Sequence, residues 1–318
     1  MVDRSSSNVT AMGKVTKKSF FVKYIKEYWV FYLLLLPAIL DVLVFKYFPM
    51  YGIQIAFRNF RVKQGIWGSE WVGLKYMIQF VASPNFVQIM RNTFLLSLYN
   101  LVFGFPVPIV LAIMINEIRR KGMKKVTQMI TYMPHFISMV AIVGLINLVL
   151  DRQHGIVNLI IESFGYEKIS FLSMQSAYRS IYITSEIWQH AGWGSIIYLA
   201  ALQGVDVEVV EAAKIDGASR MQKIRYIDIP TILPTIVILL ILRAGTVLNI
   251  GFEKVYLLQN DLNRDVSEVI ATYTYRLGIL NGQFSYTTAI GLFNNVINAL
   301  FLVVVNGLSR RVGETSLW

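Results

Sequence analysis

Apolar runs near residues 29–48, 92–115, 127–150, 179–202, 231–251 and 288–308 alternate along the chain with polar stretches rich in glycine and charge. A helix rises about 1.5 Å per residue and bilayer hydrocarbon is about 30 Å thick, so a run of roughly 20 residues predicts one spanning helix. The pattern therefore predicts an all-α polytopic membrane helical bundle with about six transmembrane helices. The first and sixth runs are unbroken. The fourth carries Glu186, Gln189 and His190 and is read mainly from its second half, GWGSIIYLAAL.

Composition supports the same class. Of 318 residues, 55% are hydrophobic and only 15% charged, and the mean hydropathy is +0.52. A water-soluble domain has no means of hiding that surplus, so it faces lipid. The chain has no cysteine, which removes disulfide frameworks, thiolate metal sites and cysteine nucleophiles. The net charge of +11 takes its meaning from where the basic residues fall. Segments 1–28, 116–126, 203–229 and 309–318 carry Lys and Arg at roughly twice the density of 49–91, 151–177 and 252–287, and NEIRRKGMKK at 116–125 is the strongest cluster. The positive-inside rule then predicts both termini in the cytoplasm. The basic stretch at the start precedes a long run without an A-x-A cleavage site, which reads as an uncleaved first span rather than a signal peptide. The predicted organisation is a cytoplasmic tail at 1–28, a transmembrane domain at 29–308 and a second cytoplasmic tail at 309–318.

One passage breaks the apolar rhythm. EAAKIDGASRMQKIRYIDIPTILP, residues 211–234, falls in the cytoplasmic loop between spans four and five. Asp206 is placed to cap a short helix, with Glu208 and Glu211 near its positive end and Gly217 just past its last turn. Ser219 with Gln222 forms an S-x-x-Q capping box for a second helix, which Pro230 is expected to stop. Two such helices are too short to be stable alone and need a surface to pack on. A helix pair lying on the membrane surface is the plainer account of the same pattern.

The joint pattern Glu211-Ala212-Ala213, Gly217, Ile227 and Ile229-Pro230 resembles the cytoplasmic signature of permease subunits in binding-protein-dependent ABC importers, with Leu replaced by Ile at 229. FKYFPMYG, YMPHFIS, IIYLAALQGVDVEVVEAAKIDGA, GQFSYTTAIGLFNNVIN and RRVGETSL are similar to the LplB-type, polysaccharide and oligosaccharide branch of these permeases, over roughly residues 28 to 318. Val207 stands where that family often has a proline. The resemblance implies a type I importer permease in the bacterial cytoplasmic membrane, with a coupling loop at about 203–230. It implies that Glu211, Ala212, Ala213, Asp216, Gly217, Ile227 and Pro230 couple the chain to a separate ATPase. It also implies a second permease subunit, two ATP-binding subunits, an extracytoplasmic solute-binding protein and an oligosaccharide substrate.

The chain contains no G-x-x-x-x-G-K-[ST] phosphate loop, so ATP and magnesium are expected on the partner ATPase and no cofactor on this chain. It reads as a non-catalytic transport subunit surrounded by lipid, with no nucleic-acid partner. Ionisable and polar residues inside spans face a cavity or a partner, which makes Glu186, His190, Arg243, Asn249, Asn294, Asn295 and Asn298 candidates for the substrate path. Trp188, with Trp193 and Tyr198, offers aromatic faces to sugar rings. Helix-to-helix hydrogen bonding by the asparagines, snorkelling or pairing by Arg243 and interfacial anchoring by the aromatics are the structural accounts. His135, His154 and His190 are far apart in sequence and accompany no H-E-x-x-H, so no metal site is expected. No charged cluster in the spans dictates the charge of the substrate. A secondary carrier or channel, and a membrane enzyme acting on lipid-linked sugar, stay open as alternatives, although neither internal repeats nor paired acidic residues are evident.

Overall fold

The computed structural model describes residues 17–312. Parts of both expected tails, 1–16 and 313–318, lie outside the described residues, as does the end of RRVGETSL. The chain divides into two compact units, Met1–Gln54 and Ile55–Trp318.

In the first unit, α1 (Lys17–Val42) runs through Pro37 and continues by a π-turn at Leu43–Tyr47 into a short helix at Phe48–Met50. Every side chain from 27 to 50 is exposed. Such an all-round apolar rod has lipid as its natural solvent.

The second unit opens on a small antiparallel hairpin, β1 (Arg58–Arg61) against β2 (Ser69–Trp71), with Arg58 opposite Trp71. Helices α2 (Phe86–Tyr99) and α3 (Pro106–Asn116) follow, joined by a π-turn at Asn100–Gly104. Next come α4 (Lys121–Tyr132), α5 (Met139–Leu150) and the long α6 (Gln175–Leu202). Helices α7 (Val207–Ile215) and α8 (Arg220–Lys223) lead into α9 (Ile229–Ala244), after which come α10 (Phe252–Leu258) and α11 (Phe284–Val312).

Four of the expected spans appear as helical courses long and apolar enough to cross a membrane: Glu27–Phe57, Phe86–Asn116, Arg220–Ala244 and Phe284–Arg311. The expected third span is not one straight helix. It is the pair α4 and α5, bent by 101° at a break. Pro134 lacks an N–H and clashes with the carbonyl of the preceding turn, while Ser138 restarts the helix by accepting a hydrogen bond from the Ala141 N–H. Helix α6 has 28 residues and so spans about 42 Å at the usual rise, although its polar positions keep it below the apolarity of the others.

Two further expectations are corrected. The fifth run does not stay helical to 251, because α9 ends at Ala244. Nor is Pro230 a stop, since a helical course continues from Arg220 to Ala244 across a π-turn at Ile224–Asp228. The same device appears three times. Phe48, Phe105 and Ile229 each donate their N–H to the carbonyl five residues back, at Leu43, Asn100 and Ile224, and each immediately precedes a proline. Widening one turn moves aside the carbonyl that the proline ring would strike, so the helix passes the proline without breaking.

The core of the second unit gathers around α6. Tyr198, Leu199 and Leu202 cluster with Ala112 and Ile115 of α3 and Ile232 of α9. Tyr178, Tyr182 and Ile183 cluster with Leu96, Val143, Val255 and Leu258. Phe80 anchors a third cluster with Tyr273, Tyr286 and Ile290. Gly192 is where α6 comes nearest to α4: a β-carbon there would fall on the Thr131 carbonyl. Backbones approach this closely only at small residues.

Candidate functional site

Between α6 and α9 the caps and the glycine turn form as the local signals predict. The Asp206 carboxylate accepts the Glu208 N–H at 2.9 Å. Helix α7 ends in a Schellman turn: Ala218 donates to the Ala213 carbonyl at 2.9 Å and Gly217 to that of Lys214 at 3.1 Å. Gly217 has φ +76°, the left-handed region where a β-carbon is costly. The capping box closes reciprocally, with Ser219 N–H to the Gln222 side chain at 2.7 Å and Gln222 N–H to the Ser219 hydroxyl at 3.3 Å. No residue of α7 is buried, and Ile215 at its end is 86% exposed. Glu211, Ala212 and Asp216 are exposed and Ala213 half-buried, so this surface is largely uncovered by the described residues. Ile227 and Pro230 lie further on, in the widened turn and the first turn of α9.

Sequence reasoning missed a three-residue ion cluster behind this loop. Lys223 reaches Glu117 at 2.7 Å and Asp228 at 3.0 Å, joining the end of α3 to the α8–α9 course. Asp228 is 1% exposed. Lys223 and Asp228 are close in sequence, but Glu117 lies 106 residues from Lys223, and only the fold adds it to the cluster.

Within the spans, three cavities adjoin. The largest of the three, about 660 Å³, is lined from the π-turn at Asn100–Gly104, α3, α6 and α9, including Pro108, Glu186, His190, Trp193, Tyr198 and Arg243. Glu186, Arg243 and Asn100 also line a second, of about 170 Å³. Asn249 is shared by the second and a third of about 330 Å³, which Asn294 and Asn295 line as well. Most of the residues singled out from the sequence therefore face one run of space. Asn298 is buried beside it, and its side-chain oxygen accepts the Leu248 N–H at 3.0 Å. Its amide and that of Asn294 both donate to the Asn249 oxygen at 3.0 Å. The Leu248 contact satisfies a backbone N–H left free beyond the end of α9, and the other two tie the side chains together. Trp188 is the exception: it lines none of the three cavities and is 51% exposed.

Charge is distributed unevenly along this run. Glu186 is held by the Lys254 ammonium at 2.9 Å and lies 3.6 Å from His190. Lys254 is 1% exposed and also sits over the Tyr182 ring. It belongs to α10, in a stretch expected as an outer loop, but Val255 and Leu258 carry that helix into the core. The spacing of Val255 and Leu258 around a lone lysine was the available signal. His135 and His190, far apart in sequence, meet at 3.1 Å, and His135 stacks on Trp193 at 4.7 Å with planes 3° apart. Among the described residues no group of three metal-ligating side chains is formed. Arg243 makes no ion pair among the described residues: Lys254 and His190 have already taken Glu186, the carboxylate that lines the same two cavities.

Residues 104–314 match the family described as binding-protein-dependent transport system inner membrane component. The chain is 44% identical over 305 residues to the polygalacturonan/rhamnogalacturonan transport system permease protein YteP of Bacillus subtilis (strain 168), covering 96% of this chain and 95% of that one. It is 41% identical to Protein LplB of the same organism, covering 92% of each. The crystal structure of a bacterial ABC transporter involved in the import of the acidic polysaccharide alginate superposes with a TM-score of 0.84 at 40% identity, covering 92% of this chain and 99% of that one.

Proposed function

The chain belongs to the family of binding-protein-dependent transport system inner membrane components, and from that premise we propose that it lines half of an import path for an oligosaccharide carrying carboxylates. It is a multi-pass membrane permease of the ABC importer type. The proposed remainder of the assembly is a second permease chain, two ATPase subunits that hold ATP and magnesium, and a solute-binding protein on the outer side. Both termini are placed in the cytoplasm by the density of basic residues. The substrate class is carried over from relatives named for polygalacturonan and for the acidic polysaccharide alginate. These relatives lend nothing to a carrier, a channel or an enzyme of lipid-linked sugar.

The observation that carries the coupling role is the largely uncovered α7, closed by the Gly217 turn and ending on an exposed Ile215. An apolar tip on a capped, rigid helix is suited to a groove on another protein. Glu211, Ala212, Ala213 and Asp216 lie on this helix or at its end, and Ile227 and Pro230 carry its movement into α9. Closure of the paired ATPases then moves a rigid lever joined to the path. The proposed path residues are Glu186, His190, Arg243, Asn249, Asn294 and Asn295, with Asn298 supporting them from behind.

The experiment is vesicle reconstitution with radiolabelled trigalacturonate. The full assembly with its loaded binding protein is expected to accumulate the sugar only with ATP, and this polypeptide alone to move none. Uptake by the chain alone would remove the subunit reading. Accumulation of peptides or metal ions but of no oligosaccharide would remove the substrate and leave the permease.

A further inference from the structure

We infer that Arg243 is the specificity-determining residue of the path, the group that binds the carboxylate of an acidic sugar unit as it passes; this rests on the oligosaccharide reading above. Three observations converge on it. Arg243 lies in the last turn of α9, well inside the fifth apolar run, and lines both the 660 Å³ and the 170 Å³ cavities. Its side chain is therefore common to the walls of both, as are those of Asn100 and Glu186. The acidic side chain that shares both cavities, Glu186, is already compensated by buried Lys254 at 2.9 Å. With Lys254 counted against Glu186, the cavity walls and their ion-pair partner leave one positive charge over, on Arg243. Finally, Trp193 stands in the wall of the larger cavity with its ring held by stacking on His135 at 4.7 Å.

Arg243 is exposed to this space and makes no ion pair among the described residues, and its planar fork matches a carboxylate through two parallel hydrogen bonds. An anionic sugar supplies the missing charge. The flat Trp193 indole in the wall of the same larger cavity offers the apolar C–H face of a pyranose a surface to rest on. Lys254 does not serve in the same way, because its ammonium is buried and engaged by Glu186. A neutral oligosaccharide of equal size fits the space but leaves Arg243 uncompensated. The pair of features therefore selects charge and ring together.

The test compares trigalacturonate with its fully methyl-esterified form, which keeps the sugar rings and removes the charge. Uptake is measured in vesicles holding the full assembly, with the loading of the binding protein by each probe determined separately by calorimetry. Wild type is expected to transport the acid faster than the ester. Arg243→Gln is expected to lower acid uptake by about 30-fold or more while changing ester uptake little, and Arg243→Lys to restore part of the loss. Equal losses for acid and ester would assign Arg243 a structural role and overturn the proposal, as would no loss at all. Wild type that moves only the ester overturns the role of Arg243 and leaves oligosaccharide import standing; wild type that moves neither removes both. Modification of wild-type Arg243 by phenylglyoxal, read by mass spectrometry, tests the contact without a variant. Trigalacturonate is expected to protect the residue and the ester is not; equal protection by both would overturn the assignment.

Discussion

Lys254 and Glu186 form a partly buried ion pair at 2.9 Å, and the lysine is almost wholly enclosed. Removing one member leaves the other charged in a low-dielectric site. Lys254→Met is therefore expected to destabilise the assembled protein by about 3 kcal/mol, and adding Glu186→Gln to recover a large part of it. The midpoint of heat unfolding in detergent checks both; equal midpoints for the single and double variants would show that the pair is not coupled. Gly217 is a residue whose backbone, not its contacts, sets its role. At φ +76° nothing lies within 4 Å of an added β-carbon, so the cost of Gly217→Val is conformational, about 1–3 kcal/mol concentrated in one turn. Loss of ATP-driven uptake with preserved assembly is the expected outcome. Glu211→Ala, at an exposed site, is expected to change stability by less than about 0.5 kcal/mol yet to weaken uptake, since its proposed partner lies on another chain. Normal uptake in both variants would detach this loop from coupling.

At the scale of elements, close approach and charge decide which helices move together. Gly192 lets α6 lie against the Thr131 carbonyl of α4, and any side chain there must part the helices. Gly192→Ala is expected to cost about 1–3 kcal/mol or more and to lower the yield of folded protein, whereas Gly144→Ala, with open space around it, is expected to be neutral. Similar thermal midpoints for the two would contradict the packing described here. The Lys223 cluster joins α3 to the course that leads from the loop into α9. Lys223→Met strands the buried Asp228 carboxylate and is expected to cost about 3 kcal/mol. Hydrogen exchange across 207–223 is expected to quicken in that variant while the core of α6 stays protected. Unchanged exchange would mean that the cluster does not hold the loop.

For the whole molecule, apolar side chains that remain exposed are as informative as the buried ones. Leu34, Phe45, Leu148, Leu233 and Val303 sit on the outside of spanning helices and are at least half exposed. In lipid that exposure carries no hydrophobic penalty, and helix association rests on packing and polar contacts instead. Several polar contacts are accordingly partly buried: Asn298 with Asn249, the Glu186–Lys254 pair and the Lys223 cluster. A single chain encloses one side of the proposed path, which is why the reconstitution described above calls for the complete assembly.

Local sequence was enough for the class of fold, the positions of most spanning helices and the caps and turn of residues 206–222. These features are local: apolar length sets a span, and Asp206, Gly217, Ser219 and Gln222 act within a few residues of themselves. It also picked out residues that line the run of cavities, because a polar group at membrane depth is conspicuous wherever it occurs. Only the tertiary structure decided that Pro230 continues a helix, because the outcome depended on whether the preceding turn widened. It alone placed Lys254 inside, brought His135 to His190 and left Trp188 outside the three cavities described. It alone showed Arg243 without a counter-charge, since that depends on Lys254 having already neutralised Glu186 from 68 residues away. Pairings between distant residues carry no local periodicity, and they are set by which helices pack together.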